Sequence, residues 1–403
     1  MRSSSRRTLA GTGLALVLAA GVLSGCQADT SPSANGDEPS STSGTTEAPI
    51  PKFTITSNAK GQAVPVDRVV QLSAENGTLD SVAVTSSLGD LPGKVTGGGT
   101  GWKSQPGTLE PGVTYTVTTT GKRTDGKVVH RSSKFHTQNL TLDDQVYAAV
   151  APLNGETVGV GMPVIVTFDL PVTDKASIER HMHVTATPAQ KGTWHWISDQ
   201  EAHWRPAKYW QAGSKVDVNL DINSIPSGDG RYGQEDRRVS FDVGDAHVYK
   251  VNIATDQMRV FSNGQLIKTI PITTGEQPKY TTRSGVKVII EKFRRKRMNS
   301  ETVGIDPNGP DGYDLKGVEY AMRVTYSGEF VHAAPWSVAY QGNSNVSHGC
   351  TGMSTENAGW LYNMSRRGDV VEYTGTDKQM TLTNGYGDWN ESFTDYRAGS
   401  ALS

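Results

Sequence analysis

From Phe53 onward the chain is a succession of short runs in which apolar and polar residues alternate, each closed by turn chemistry. Phe53-Thr54-Ile55, Val82-Ala83-Val84 and Val113-Thr114-Tyr115-Thr116-Val117 have the period of two that puts every second side chain on one face of a strand. Asn76-Gly77, Gly97-Gly98-Gly99 and Asp125-Gly126 supply turns between such runs. With 44 glycines in 403 residues, the pattern predicts a mainly β chain of two or three domains. Over residues 51–137 the strand spacing reads as a β-sandwich.

A second block, 138–245, repeats the signature in Val164-Ile165-Val166-Thr167-Phe168 and Val216-Asp217-Val218. The blocks share an echo: Trp102, Pro106, Leu109, Gly112, Tyr115 and Val117 are followed by Trp204, Pro206, Tyr209, Gly213, Val216 and Val218. This predicts two related sandwich modules whose aromatic residues belong to their cores. His181, His183, His195 and His203 lie in the second block without cysteine or clustered carboxylates at ligand spacing, so no metal site is expected. A formal net charge of -2 gives no electrostatic argument for nucleic acid.

The third block, 246–374, opens with strands at Val248–Ile253 and Met258–Phe261 and resumes alternation at Ser284–Ile290. Residues 298–318, rich in Gly, Asp, Asn and Pro, read as a long loop and a candidate lid. The basic run of Lys292 and Arg294 to Arg297 reads first as a solvated strand edge and second as a docking patch for carboxylates. Ser354 is placed to cap a short helix with Trp360, Leu361 and Met364 on one face, closing at Gly368. In the tail, 375–403, Trp389, Phe393 and Tyr396 give enough apolar surface to pack on the body.

The N-terminus sets the compartment. Arg2, Arg6 and Arg7 precede an apolar run from Leu14 to Leu23, the make-up of a secretory signal over residues 1–25. Leu23-Ser24-Gly25-Cys26 resembles the lipobox of bacterial lipoproteins, which implies that Cys26 carries lipid and anchors the chain to the membrane. Residues 27 to 50 are polar and cannot bury a core, so they read as a disordered linker spanning about 25 to 30 Å. There are 2 cysteines. With Cys26 lipidated, Cys350 has no disulfide partner and is a lone thiol in an exported protein.

That thiol ends the stretch His332 to Cys350, among Gly, Asn and Ser residues that favour loops. Few per cent of an unperturbed cysteine is ionised at neutral pH, so catalysis requires a base, and His332 and His348 are both candidates. Alternation along an extended segment makes His348 the geometric neighbour of Cys350. Amides around Cys350, with Gly349 allowing close approach, are candidates for an oxyanion site. An inert thiol, a core histidine or a zinc site remain alternatives on residue types alone.

His332-Ala333-Ala334-Pro335-Trp336-Ser337, followed by Ser347-His348-Gly349-Cys350, resembles the active-site motif of the L,D-transpeptidases, the YkuD-type catalytic domain. The resemblance extends to the lipobox, two immunoglobulin-like modules and the Gly387-Asp388-Trp389-Asn390 tail of actinobacterial forms. It implies that Cys350 is acylated by the third residue of a peptidoglycan tetrapeptide stem and that a stem amine resolves the thioester as a 3→3 cross-link. It further implies that His332 partners the thiol, that the Ala333 backbone carbonyl orients His332, and that His348, Gly349 and Cys350 shape the oxyanion site. Tyr313, Trp336 and Met298 match lid or pocket positions, and Asn345 is a further candidate binding residue. Donor and acceptor would both be peptidoglycan stems, carbapenems would acylate the thiol, and no cofactor is implied. Water or a protein amine as acceptor, giving carboxypeptidase or anchoring activity, and a non-catalytic wall-binding lipoprotein are the alternative functions. Two positions depart from the usual pattern: Ala333 where Ser is common, and Gly352 where Asn is common, with Asn343, Asn345 or Asn357 as substitute supports.

Overall fold

The computed structural model describes residues 50–107 and 109–403. The expected signal segment, the lipidation site at Cys26 and all but the end of the linker lie outside the described residues.

The alternating runs of the first block form two sheets. One is ordered Thr54–Ser57, Gln71–Glu75, Gly101–Ser104, Gly93–Thr96; the other is Gly61–Val64, Val128–Thr137, Thr114–Arg123, Gly77–Ser86, Gly89–Asp90. Within Thr114–Arg123, Tyr115 and Val117 are buried while Thr114 and Thr118 are exposed, as a period of two requires. In the second block Ala148–Ala151, Val164–Phe168, Glu201–Pro206 and Gly192–Trp196 form one sheet, and Thr157–Val158, Arg237–Val243, Lys215–Leu220 and Met182–Thr187 another. The Trp echo is structural: Trp102 and Trp204 are both buried on the third strand of a four-stranded sheet.

The third block contains β1 (His247–Asn252), β2 (Gln257–Ser262), β3 (Gln265–Pro271), β4 (Gly285–Val288), β5 (Glu291–Asn299), β6 (Asp314–Arg323), β7 (Phe330–Ala333), β8 (Thr351–Met353), α1 (Thr355–Met364) and β9 (Val370–Thr374). One sheet is ordered β3-β2-β1-β9-β4 and the other β5-β6-β7-β8. Val251, Val260 and Ile270 of the first meet Val331 and Met353 of the second, with Leu361 of α1, in one core. The fold is therefore mainly β throughout, with few helices.

Two expectations change here. Residues 298–318 are not one long loop: Met298 pairs with Leu315 and Asn299 with Asp314, so β5 and β6 extend into it. A short 3-10 turn at Ser300–Val303 leaves only residues 304–313 as the tip. The basic run supplies this ladder with cross-strand partners, Arg294 and Arg295 to Glu319 and Arg297 to Asp314. Helix α1 starts as expected, with the Ser354 side chain accepting from the Asn357 amide, but it stops at Met364 rather than near Gly368. Ser365 is extended and its hydroxyl bonds the Leu361 carbonyl at 2.6 Å and Tyr249 at 2.8 Å, which ends the helix inside the core.

The second sandwich is fused to the third block. Val288, Ile290 and Val370 belong to the same core as Val164, Trp204 and Phe241. The amides of Gly159 and Gly161 donate to the carbonyls of Arg367 and Gly368, each at 2.8 Å. A Cβ at residue 159 would lie 2.2 Å from the Asp369 nitrogen, so only glycine permits this approach. The tail lies across the same junction. Trp389 Nε1 donates to the Gly161 carbonyl at 2.8 Å, and the Arg205 guanidinium sits 4.9 Å from the Trp389 ring and 4.3 Å from that of Tyr396.

Asp388, fully buried, accepts from His203 Nδ1 at 2.8 Å and from the Tyr396 hydroxyl at 2.7 Å. Burial by itself would lower the His203 pKa, but Asp388 and Glu201 together raise it to about 9. The contribution of this pair to stability is complete below about pH 6.5 and is lost as pH rises through about 9. Asp388→Asn should therefore lower the melting temperature by several degrees near pH 6.5 and by much less above about pH 9, as measured by thermal denaturation of both proteins.

Candidate active site

β7 and β8 run parallel, with Val331 opposite Thr351, His332 opposite Gly352 and Ala333 opposite Met353. Alternate residues of a strand share a face, so this register turns His332 and Cys350, one residue ahead of β8, to the same side. Both line a cavity of about 290 Å³ together with Met298, Tyr313, Trp336 and His348. A smaller cavity of about 170 Å³ reaches Cys350 from beside Gly328, Tyr326 and Arg323.

His332 is 5% exposed, and its Nδ1 is 2.7 Å from the Ala333 carbonyl oxygen. A carbonyl only accepts, so Nδ1 carries the hydrogen and Nε2 keeps its lone pair. Burial holds the imidazole below its ordinary pKa, making it neutral. Only the backbone of residue 333 is used, which is why Ala suffices there.

Cys350 is a free, half-buried thiol, and burial pushes its pKa up to about 11. Its Sγ donates to the Gly328 carbonyl oxygen at 3.7 Å. Thiol and imidazole are thus both neutral in this state.

His348 is placed differently from the alternation argument. Its ring is clamped between Tyr280 and Tyr313, at centroid distances of 4.3 and 5.0 Å. Gly349 between His348 and Cys350 has φ of 121°, so strand alternation does not carry across it, although both side chains line the cavity. The Gly349 amide donates to Ser347 Oγ at 3.1 Å and its carbonyl accepts from Thr282 Oγ1 at 2.8 Å. Both backbone groups of Gly349 are therefore hydrogen-bonded.

Asn345 does not join the cavity. Its Oδ1 accepts from the amide and hydroxyl of Thr274, both at 2.6 Å, and its Nδ2 donates to the Ile253 carbonyl at 2.9 Å. It ties the site loop to residues 272–276. That segment is stapled further by reciprocal bonds between Thr273 and Gly352, each 2.9 Å. Trp336, 56% exposed, forms the rim with its ring 5.9 Å from that of His332.

Several contributors carry no signal in the sequence. Gln341 Nε2 donates to the Ala334 carbonyl at 3.0 Å, in the neighbourhood where Asn343, Asn345 or Asn357 were expected to compensate for Gly352. Tyr280 and Thr282 lie far upstream in a turn. A loop Gln, Tyr or Thr looks the same whether or not it supports a site.

With this geometry in view, the chain is compared with known proteins. An L,D-transpeptidase catalytic domain (YkuD) matches residues 246–372, and a bacterial Ig domain matches residues 61–226. L,D-transpeptidase 2 of Mycobacterium tuberculosis (strain CDC 1551 / Oshkosh) is 32% identical over 354 residues, covering 87% of this chain and 85% of the relative. This chain belongs to the L,D-transpeptidase family.

L,D-transpeptidase 5 of Mycobacterium tuberculosis (strain ATCC 25618 / H37Rv) is 33% identical, over 88% of this chain and 78% of that one. Among solved structures, an L,D-transpeptidase in complex with imipenem is 37% identical and superposes with a TM-score of 0.51, covering 57% of this chain and 99% of the other. The protein is an L,D-transpeptidase in which an Ig-like region precedes the catalytic domain.

Gly352 in this L,D-transpeptidase leaves little room for the Asn common at that place. A Cβ there would lie 2.8 Å from the Ala334 Cβ and 3.1 Å from Thr273 Cγ2. Gly352→Asn should destabilise the protein by about 1 to 3 kcal/mol, the range for overpacking, and slow modification of Cys350, as read by denaturant unfolding and by mass spectrometry.

Proposed function

We propose that Cys350 is the nucleophile and His332 the base of a two-step acyl transfer between peptidoglycan stems. The observation that carries this reading is that one cavity exposes both side chains, with His332 held in the Nε2 lone-pair tautomer by the Ala333 carbonyl.

The thiol turns from Gly328 toward His332, and Nε2 takes its proton. Sulfur then attacks the carbonyl carbon of the third stem residue. The bond to the terminal D-Ala breaks, and D-Ala leaves with the proton from His332. In the second step the side-chain amine of a meso-diaminopimelate attacks the thioester. The amine proton returns through His332 to sulfur, giving a 3→3 amide and the free thiol. The second cavity at Cys350 supports separate approaches for donor and acceptor. Tyr313, Met298 and Trp336 would contact the stem, and His348 between its two tyrosines would shape the entrance.

The wall is also the setting for the rest of the chain. Cys26 would carry the lipid, residues 26–50 would act as tether, and 51–137 and 138–245 would form the two modules between anchor and catalytic domain. Peptidoglycan stems and β-lactams of the carbapenem class are the ligands we assign to Cys350. The structure of a relative in complex with imipenem supports the second.

Incubation with a disaccharide-tetrapeptide should yield 3→3 dimers. Cys350→Ala should form none and should take up no carbapenem by intact-mass analysis. His332→Gln should slow acylation by about 10² to 10⁴, the usual contribution of a positioned base. Undiminished dimer formation by Cys350→Ala would overturn the assignment, and release of D-Ala without dimers would identify water as the acceptor.

A further inference from the structure

Near Cys350 lies an ion cluster, Arg283, Glu329 and Lys287, that the reaction scheme leaves unused. Lys287 of β4 is fully buried and is paired with Glu329, 7% exposed. Arg283 Nη1 donates to the other Glu329 oxygen at 3.0 Å, and the Arg283 amide donates to the same atom at 3.2 Å. One anion is thus shared by two cations, leaving a net charge of +1 in the interior. Ions taken out of water cost several kcal/mol each unless strongly compensated, so such a cluster is a poor general stabiliser.

Its contacts converge on the nucleophile. Glu329 adjoins Gly328, whose carbonyl accepts the thiol hydrogen bond. The ammonium of Lys287 lies 3.6 Å from the Tyr373 ring centroid, and the Tyr373 hydroxyl meets Thr351 Oγ1 at 2.8 Å, one residue after the thiol. Thr282, beside Arg283, donates to the Gly349 carbonyl at 2.8 Å, one residue before it. Through Tyr373 and Thr282 the cluster therefore connects to the residues on either side of Cys350, and through Glu329 to the residue that accepts its hydrogen bond.

We propose that the Arg283–Glu329–Lys287 cluster positions Cys350 and that Lys287 is the member whose charge favours the thiolate, against the opposing charge of Glu329. This rests on Cys350 being the nucleophile. Around the sulfur, burial opposes the anion most and a backbone hydrogen bond at Phe330 favours it; among the charges Glu329 opposes it ahead of Lys287 from β4 and Arg323 from β6, which favour it. Tyr313 and Tyr373 face the sulfur as neutral phenols, and His332 and His348 complete the titratable groups on the cavity wall. Removing Lys287 alone leaves Glu329 charged, because Arg283 still holds it, and sets an unbalanced anion near the sulfur. Removing the charges of both Lys287 and Glu329 takes that anion away.

The test compares the described protein with Lys287→Met and with the double variant Lys287→Met/Glu329→Gln. The readouts are the pH profile of Cys350 alkylation by iodoacetamide, the pH profile of carbapenem acylation, and thermal unfolding. Lys287→Met should move the alkylation midpoint upward by about one pH unit, which is about tenfold less thiolate at neutral pH. The double variant should return most of the way to the wild-type midpoint and fold at least as stably as the single variant. A purely structural role would slow both variants without moving either midpoint. If Lys287→Met does not fold well enough to assay, the double variant is compared with Glu329→Gln alone. There the inference requires a higher midpoint in the double, and equal midpoints overturn it. Wild-type midpoints in both Lys287 variants, or no recovery in the double, would overturn the inference while leaving the nucleophile intact. Absence of any adduct at Cys350 in the wild type would overturn the nucleophile assignment and the inference with it.

Discussion

The site depends on one pairing, the parallel register of Phe330–Ala333 with Thr351–Met353. Parallel neighbours need a crossover between them, and residues 334–350 supply it as a loop rather than a helix. The loop passes over one end of the catalytic sheets, and the two strands bring its ends back to adjacent places. His332 and Cys350 therefore line one cavity although they lie 18 positions apart in the chain. A hairpin would have joined the same strands antiparallel and could not have produced this register.

A loop of that length needs external support. Residues 272–276 bond Gly342, Ser347 and Gly352 through backbone groups, and Asn345 adds a side-chain tie to Thr274 and Ile253. Support of this kind is stiff because buried backbone donors and acceptors must be paired. The glycines are its counterpart: at 349 a positive φ is required, and at 352 Ala334 and Thr273 occupy the space of a side chain. The Ig-like module adjoining the catalytic domain adds stiffness from the far side. Its core runs into Val288 and Val370, strands of the same sheet that carries Lys287. It is part of the catalytic body as much as a spacer.

The strand pattern made the mainly β fold and the Trp102–Trp204 echo legible, because burial on a sheet imposes a period of two that survives in a single sequence. Cys350, His332 and the apolar rim were legible through the motif they form. His348 does line the cavity with Cys350, but not by the strand alternation argued for it, since that fails across a residue with positive φ and glycine alone does not announce its conformation. Asn345 was misread because a polar loop residue looks the same whether it faces a ligand or its own backbone. The helix end was misjudged for a related reason: Gly368 is needed for close approach to Gly159, not as a cap. Lys287 and Glu329 gave no warning, being isolated charges in strands that the fold buries together.

Burial creates the central chemical tension of the enzyme. The enclosure of the site raises the thiol to about 11, far from a useful nucleophile. A charged imidazole would relieve this, but the same enclosure keeps His332 neutral. The resting state therefore does not rely on a preformed thiolate–imidazolium pair, and in the proposed reaction proton transfer to Nε2 would accompany the turn of sulfur away from Gly328. Fixed charge near the sulfur is the remaining means of favouring the anion without opening the pocket to water. A buried lysine is suited to this because its charge acts through a medium of low dielectric, where the same separation matters more than at the surface. Burial lowers the Lys287 pKa, and Glu329 acts against that lowering at the cost of opposing the thiolate. Arg283 limits the cost by leaving the cluster as a whole positive.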